Sequence, residues 1–456
     1  MSLFSLLGVA RDGLQAQSAG VSVTGQNISN VNTPGYVRRS AVLAERQASQ
    51  GGVEVVTTAR SFDRLTHRRA VEEHGRRGAA DARADALASA ESVLAPGSGD
   101  IADRLGAFFG SLSALSATPA DTSARADVLR QASDLARQIS GTASDLESLR
   151  GDLYTQARGA AGELNERLGR IATLNASIAE ATGRGDPGVE LRDERDRLVQ
   201  EVGDRVGARA VEDASGQVTL FAAGAALVEG SHAASLGVDL DTSGNLRVQV
   251  QRPGEPAVDV TASVTQGSLG GLREARDVDI PRAASALDSF AFDLASATNA
   301  AHSAGFGLDG TGGRALFTTT ATPAGAARAM ALNPALEGHP ERLAAAASAA
   351  DVPGGNTVAL RLAGLAGRPL GAGTAPPAER FGALAADLGS RRAAAESERA
   401  LRADTVAQAE NLHASSAGVS LDEEMVNLSR FQRAFEASTR VLRAADELLD
   451  NLMKSF

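Results

Sequence analysis

The sequence predicts a mainly α-helical, elongated chain of several domains, with one small antiparallel β domain inserted and coiled-coil-like helices at both ends. Three observations carry this. Apolar residues recur at steps of three and four near each end. Aromatics make up only 3% of 456 residues and Trp is absent, while Gly and Ala abound, which favours helices packed through small side chains over a deep aromatic pocket. The apolar period switches to two over one long stretch, 208–265.

The longest unbroken helix signal begins at Ser420, which with Glu423 spells the S-x-x-E capping box. Behind it, Leu428, Phe431, Phe435, Ser438, Leu442, Ala445, Leu449, Leu452 and Phe456 fall on a coiled-coil seam. Such a helix is roughly 50 Å long, and each large apolar seam residue gains roughly 1.5–3 kcal/mol on burial. A matching track at the other end runs through Leu3, Leu7, Ala10, Leu14, Val21 and Ile28, with Gln17 and Thr24 at its polar steps. Two arrangements satisfy these stripes: the ends pair with each other in a bundle, or they also pack between subunits.

In chain order, residues 1–60 hold the first helix, a turn and a short hairpin. The turn, Asn27 to Tyr36, includes Asn30, Asn32, Thr33, Pro34 and Gly35. Asn tolerates helix-terminating conformations, Pro34 presets one turn position and Gly35 can take a positive φ, so the helix stops and the chain bends. Val53, Val55 and Thr57 alternate as in a half-buried strand. Residues 61–207 form the first part of a helical rod, interrupted at Pro96-Gly97 and Gly183 to Gly188. The acid–Arg stretch Asp193 to Arg197 reads as charge pairing on a helix surface. After the β domain, residues 266–376 continue the rod with short strands, including a strand-like piece at Asn333-Pro334 and helices around Leu343 and Leu360. Residues 377–456 are the closing helices.

Composition also excludes. Net charge is −11, and every basic residue but Lys454 is Arg, with no concentrated positive patch for nucleic acid. There are no cysteines, hence no disulfides or thiolate metal sites. Met1 to Ala10 lacks a basic n-region, and Arg11-Asp12 cuts its apolar run short of a membrane span, so neither a classical signal peptide nor membrane insertion is expected. Gly305 to Gly310 spells G-x-G-x-x-G but follows a helix, not a strand. Asp239 to Gly244 begins like a calcium loop whose twelfth position is Val250. His67, His74, His232, His302, His339 and His413 are scattered in sequence and form no metal motif. No catalytic, cofactor-binding or metal residues are expected, and no enzymatic activity.

The segment Val23 to Tyr36 closely resembles the N-terminal signature of the flagellar rod, hook and hook-associated proteins, although Val37-Arg38-Arg39 stands where that family often has Ser-Arg-Gln. Ser416 to Glu424, continuing through Asn427-Leu428 and Phe431-Gln432, resembles the closing helix of the members at the hook–filament junction. The resemblance implies an elongated axial subunit, secreted through the flagellar type III apparatus into the extracellular flagellum. It implies packing through the terminal residues named above into a ring of copies, with hook protein below, the next hook-associated protein above, and an export chaperone on the C-terminal helix. The alternatives are another flagellar axial protein or a cytoplasmic coiled-coil scaffold.

Overall fold

The computed structural model describes residues 3–33, 35–46, 52–97, 99–371, 373 and 375–454. Helix α1 (Leu3–Ser29) leads through the turn into a hairpin of β1 (Arg39–Glu45) and β2 (Val53–Arg60). Asp63 caps α2 (Arg64–Leu94) by accepting from the Leu65 and Thr66 N–H groups, and Asp100 and Asp121 cap α3 (Ile101–Ala117) and α4 (Thr122–Gly183) in the same manner. At 62 residues, α4 extends for roughly 90 Å. Helix α5 (Val189–Val206) returns along it.

The β region forms two sheets. β3 (Arg209–Glu212), β4 (Val218–Ala222), β5 (Ala225–Glu229) and β6 (His232–Ala233) make one, in that order; β7 (Ser235–Leu240), β8 (Leu246–Gln251) and β9 (Val258–Asp259) make the other. Every pairing is antiparallel. Both sheets are docked on α4 through side-chain amides that imitate a neighbouring strand. Asn175 donates to the carbonyls of Val218 (2.7 Å) and Gly230 (2.8 Å) and accepts from the Val218 N–H (3.0 Å). About three turns earlier on the helix, Asn165 donates to the Leu236 carbonyl and accepts from its N–H (2.9 and 2.7 Å). Each amide thereby satisfies strand backbone that would otherwise be buried without a partner.

Beyond the sheets, α6 (Gly267–Glu274) runs through one π turn into α7 (Ile280–Ser303). A minimal ladder pairs β10 (Phe317–Thr318) with β11 (Ala331–Leu332), the short α8 (Ala326–Ala329) lying between them. Then come α9 (Thr357–Ala363), α10 (Pro377–Ala417) and α11 (Leu421–Lys454). Leu87, Phe108, Leu112, Leu164, Leu287 and Phe290 are buried in one continuous core that joins the helical layers and reaches into the sheets.

Two local expectations fail. The strand lies just before Asn333, whose carboxamide instead accepts from the Ala335 N–H and opens a 3₁₀ turn, Pro334–Leu336. Leu343 is not helical; it follows a single 3₁₀ turn, Pro340–Arg342, with extended backbone, and its carbonyl accepts from Arg125 of α4 in place of a helical N–H. Part of the expected linker at 371–377 lies outside the described residues.

Candidate assembly interface

Helices α1 and α11 pair with each other and run antiparallel. Gly13 meets Ser438, Gly20 meets Phe431 and Asn27 meets Glu424, so position rises on one helix as it falls on the other. A β-carbon built on Gly20 would sit 2.6 Å from the Phe431 ring, so only glycine leaves room for that ring. The centre of the seam on α1 is therefore small and polar: Ala10, Gly20, Thr24 and Asn27 are buried.

Ala10 and Thr24 belong to the expected track; its large residues lie to one side of the seam. Leu7, Leu14, Val21 and Ile28 are only half-buried, because they lie beside the contact line with α11 instead of on it. On α11, Leu428, Phe431, Leu442 and Leu449 are half-buried, Ala445 is buried and Phe435 is 41% exposed. Leu3 and Leu452 have described backbone in α1 and α11, whereas Phe456 and Pro34 lie outside the described residues. Ser420 caps α11 with a 3.5 Å contact from the Glu423 N–H, but the Glu423 carboxylate pairs with Arg38 at 3.2 Å in place of completing the capping box.

The hairpin lies along α1. Its tip is held by Arg46, which donates to Asp12 at 2.7 Å, and its base by Asn27, which meets Arg39. Around that base the expected turn residues build a polar joint. Asn27 donates to the Arg39 carbonyl (2.8 Å) and to Glu424 (3.0 Å), and it accepts from the Arg39 N–H (3.0 Å) and the Tyr36 hydroxyl (2.8 Å). Gly35 takes φ +79°, and the Asn30 carbonyl accepts from the Thr33 N–H at 2.9 Å. Asn32 and Thr33 are exposed. Glu424, 2% exposed, also accepts from Arg38 Nε at 2.8 Å, so its charge is paired where water cannot reach it. Burial pushes the Tyr36 phenol up, against the pull of Arg39, so it stays protonated and free to donate.

The acid–Arg stretch of α5 is the other half of this joint. Expected as charge pairing on a helix surface, it is where the hairpin attaches to the helical body. Arg39 reaches Glu190 (2.9 Å) and Asp193 (2.8 Å), while Arg60 reaches Asp193 (2.8 Å) and Asp196 (2.7 Å). Arg195, 2% exposed, donates to the Gly216 carbonyl at 2.5 Å. Burial raises the Asp193 carboxyl despite Arg60 and Arg39; burial also works against charge on Arg39, but its bonds to Asp193 outweigh that and raise it. Arg39 further lies over the Tyr36 ring and Arg60 over Phe62, at 4.9 and 4.7 Å from the ring centroids.

Two histidines 346 positions apart in sequence also meet here. His67 on α2 and His413 on α10 stand 5.5 Å apart, centroid to centroid, with Phe62 against both. Burial depresses both imidazoles below the ordinary histidine value, so they are neutral near pH 7. They border a cleft of about 490 Å³ between the joint and the helical body, lined also by Tyr36, Asp196, Glu410 and Val419. Among the described residues no cluster of His, Asp and Glu is arranged to hold a metal, and no helix is long and apolar enough to cross a membrane.

Comparison with known proteins bears on both this pair and the body. The profile of the "Flagellar hook-associated protein FlgK helical domain" matches residues 87–317, that of the "Flagella basal body rod protein" matches 7–36, and that of the "Flagellar basal body rod FlgEFG protein C-terminal" matches 413–455. Flagellar hook-associated protein 1 of Salmonella typhimurium is 28% identical over 328 residues, covering 69% of this chain and 59% of its own length. The chain thus spans under two thirds of that relative. The Escherichia coli protein of the same name is 24% identical over 544 residues, covering 98% and 99%. The solved flagellar hook junction protein FlgK from Burkholderia pseudomallei superposes with a TM-score of 0.51 at 26% identity, covering 55% of this chain and 46% of that one. With the helical-domain profile matching half of its length and the rod-protein profiles falling on α1 and α11, the chain belongs to the flagellar hook-associated family that the FlgK helical domain defines.

Proposed function

We propose that the chain is a structural, non-enzymatic subunit of the bacterial flagellum that forms the hook–filament junction. The observation that carries this reading is the state of the terminal pair. α1 and α11 hold each other along a seam where small residues of α1 admit Phe431, while Leu7, Leu14, Val21 and Ile28 on one helix are only half-buried and Phe435, Val441 and Leu448 on the other are exposed. Large apolar side chains left exposed along a helix pair suit contact with further chains. Copies of this chain in a ring are the first partners; hook protein on one side and the next hook-associated protein on the other complete the axial stack. Before assembly the same α11 surface suits a flagellar export chaperone, by the helix-in-groove mode of recognition. Secretion by the flagellar type III route, to an extracellular position at the junction, belongs to the same reading.

The helical body and its two sheets form the outer wall, and the polar joint transmits position between wall and inner helices. Leu442→Asp or Leu449→Asp places a charge in the half-buried seam of α11. The expected outcome is a chain whose body keeps its fold by circular dichroism but which is missing from sheared flagella, with filament growth lost. Normal filaments built on either variant would overturn the reading. A soluble cytoplasmic fraction holding all of the unsubstituted chain would favour a scaffold instead.

A further inference from the structure

Three segments that join the terminal pair to the body converge on one aromatic cluster. Phe62, in the link between β2 and α2, packs against His67 in the first turn of α2 and against His413 near the end of α10. Hydrogen bonds fasten the same segments together. The Ser61 hydroxyl donates to the Ser416 carbonyl at 3.0 Å, the Arg38 N–H to the Ala417 carbonyl at 3.0 Å and the Ser61 N–H to the Arg38 carbonyl at 2.8 Å. Every carboxylate that faces the two imidazoles, across the cleft or from a packed element, is engaged elsewhere. Asp196 of α5 accepts from Arg60 at 2.7 Å, Asp63 accepts from the N–H groups that open α2, Glu201 pairs with Arg167 at 2.8 Å, and Asp204 and Glu410 both meet His74, at 3.1 and 2.8 Å. Cations stand on the same side: Arg60 lies over Phe62 and opposes charge on both rings, Arg195 opposes it on His67, and Arg197 lines the cleft. Nε2 of His67 is buried without a hydrogen-bond partner. A proton there would set an N–H against no acceptor, and the positive end of α2 adds to the cost. His413, near the carbonyl end of α10, is opposed less.

We infer that His67 and His413 form an acid-sensitive latch at the root of the terminal pair: uncharged, they let the hairpin exit, α2 and α10 close around Phe62, and charged, they part these segments and free the pair to change its angle to the body. The inference concerns the free chain and holds whatever the chain assembles with. Burial is the main cause that holds both imidazoles below the ordinary histidine value, and the pull of Asp196 toward charge does not overcome it. Once the segments part, each ring regains a pKa of about 6.5. Above that pH the closed and open forms bind protons equally, and below it the open form binds more. Closure is therefore strongest at neutral pH and weakens as pH falls from about 6.5, by up to about tenfold per ring for each pH unit until the closed form also titrates. Asp193, whose carboxyl burial raises, is the rival acid sensor in this region. Substitution separates the two.

Hydrogen–deuterium exchange of the full chain, corrected for the intrinsic effect of pH, reads the latch at the amides that span it. Exchange at Arg38 and Ser61 is expected to accelerate roughly tenfold or more between about pH 7.5 and about pH 5, with α4 unchanged. H67F/H413N keeps a ring against Phe62 and a polar group beside Thr66, and in it the acceleration is expected to vanish. An unchanged rate in the unsubstituted chain overturns the latch. Equal acceleration in the double variant moves the sensor to Asp193 and overturns the histidine assignment. Ring-nitrogen chemical shifts of the unsubstituted chain give a reading that needs no variant: both imidazoles are expected to gain their protons over the pH interval in which the two amides are released. Rings that become charged while those amides stay protected overturn the proposal.

Discussion

Asn27 shows how much one side chain can hold in this molecule. Its carboxamide makes four hydrogen bonds, to the backbone of Arg39 in both directions, to the Tyr36 hydroxyl and to Glu424. No other uncharged side chain of that size offers two donors and an acceptor with two lone pairs. Asn27→Ala would orphan a buried peptide group and remove one of the bonds that satisfy the buried Glu424. The expected cost is about 2–4 kcal/mol, read as a lower urea midpoint for the transition that releases the terminal pair. A midpoint within error of the unsubstituted chain would refute this account of the joint. Asn27→Asp is expected to do at least as much damage, because a second carboxylate would then face Glu424. Val37-Arg38-Arg39, the departure from the common signature of the family, is absorbed by the same joint: Arg38 pairs with Glu424 and Arg39 with Asp193.

At the scale of elements, the α1–α11 pair depends on shape as much as on apolar area. Gly20 admits the Phe431 ring, so Gly20→Leu is expected to force the two helices apart by overpacking. Hydrogen–deuterium exchange should then accelerate in both helices and stay unchanged in α2 and α4; retained protection in α1 would show that the ring does not sit there. Element positions were largely legible beforehand. The Pro96-Gly97 and Gly183 to Gly188 breaks delimit helices by local chemistry, and the alternation of Val53, Val55 and Thr57 does belong to a strand, β2. The contact face of α1 was not legible, because a heptad track of Leu and Val looks like a seam whether or not the partner sits on it. The partner sits one step around, where glycines let two backbones approach. Nor could sequence place Asp193 and Asp196 under Arg39 and Arg60, or His67 against His413, since only the folded chain makes those residues neighbours. The Asn165 and Asn175 amides were missed for a similar reason: a polar residue on a long helix reads as solvent-facing until a sheet edge is laid across it.

Over the whole molecule, stability is unevenly distributed. The body shares one core from α2 to α10, with Leu87, Phe108, Leu164 and Phe290 essentially without solvent contact. The terminal pair is held by its one seam, the hairpin along α1 and the polar joint, and keeps large apolar groups exposed. In a dilute monomer, amide exchange is expected in two tiers, with α1 and α11 opening at far lower free energy than α2 and α4. Equal protection across all four would mean that the pair is complete without neighbours and would remove the physical motive for assembly. Family membership was legible from two short terminal motifs because those motifs build the joint and the seam of the terminal pair. The outer body left fewer marks that sequence reading could use.

The joint itself has a mechanical corollary. Oil-like surfaces in contact can slide over one another at little cost, whereas guanidinium N–H groups donating to carboxylates at 2.7–2.9 Å, Arg39 to Glu190 and Asp193 and Arg60 to Asp196, are directional and hold an angle. By standing Arg39 and Arg60 astride Asp193, the chain behaves there less like a glued seam than like a bracket: bending it means breaking discrete bonds, and each time the bonds re-form they return the inner rod to the same tilt.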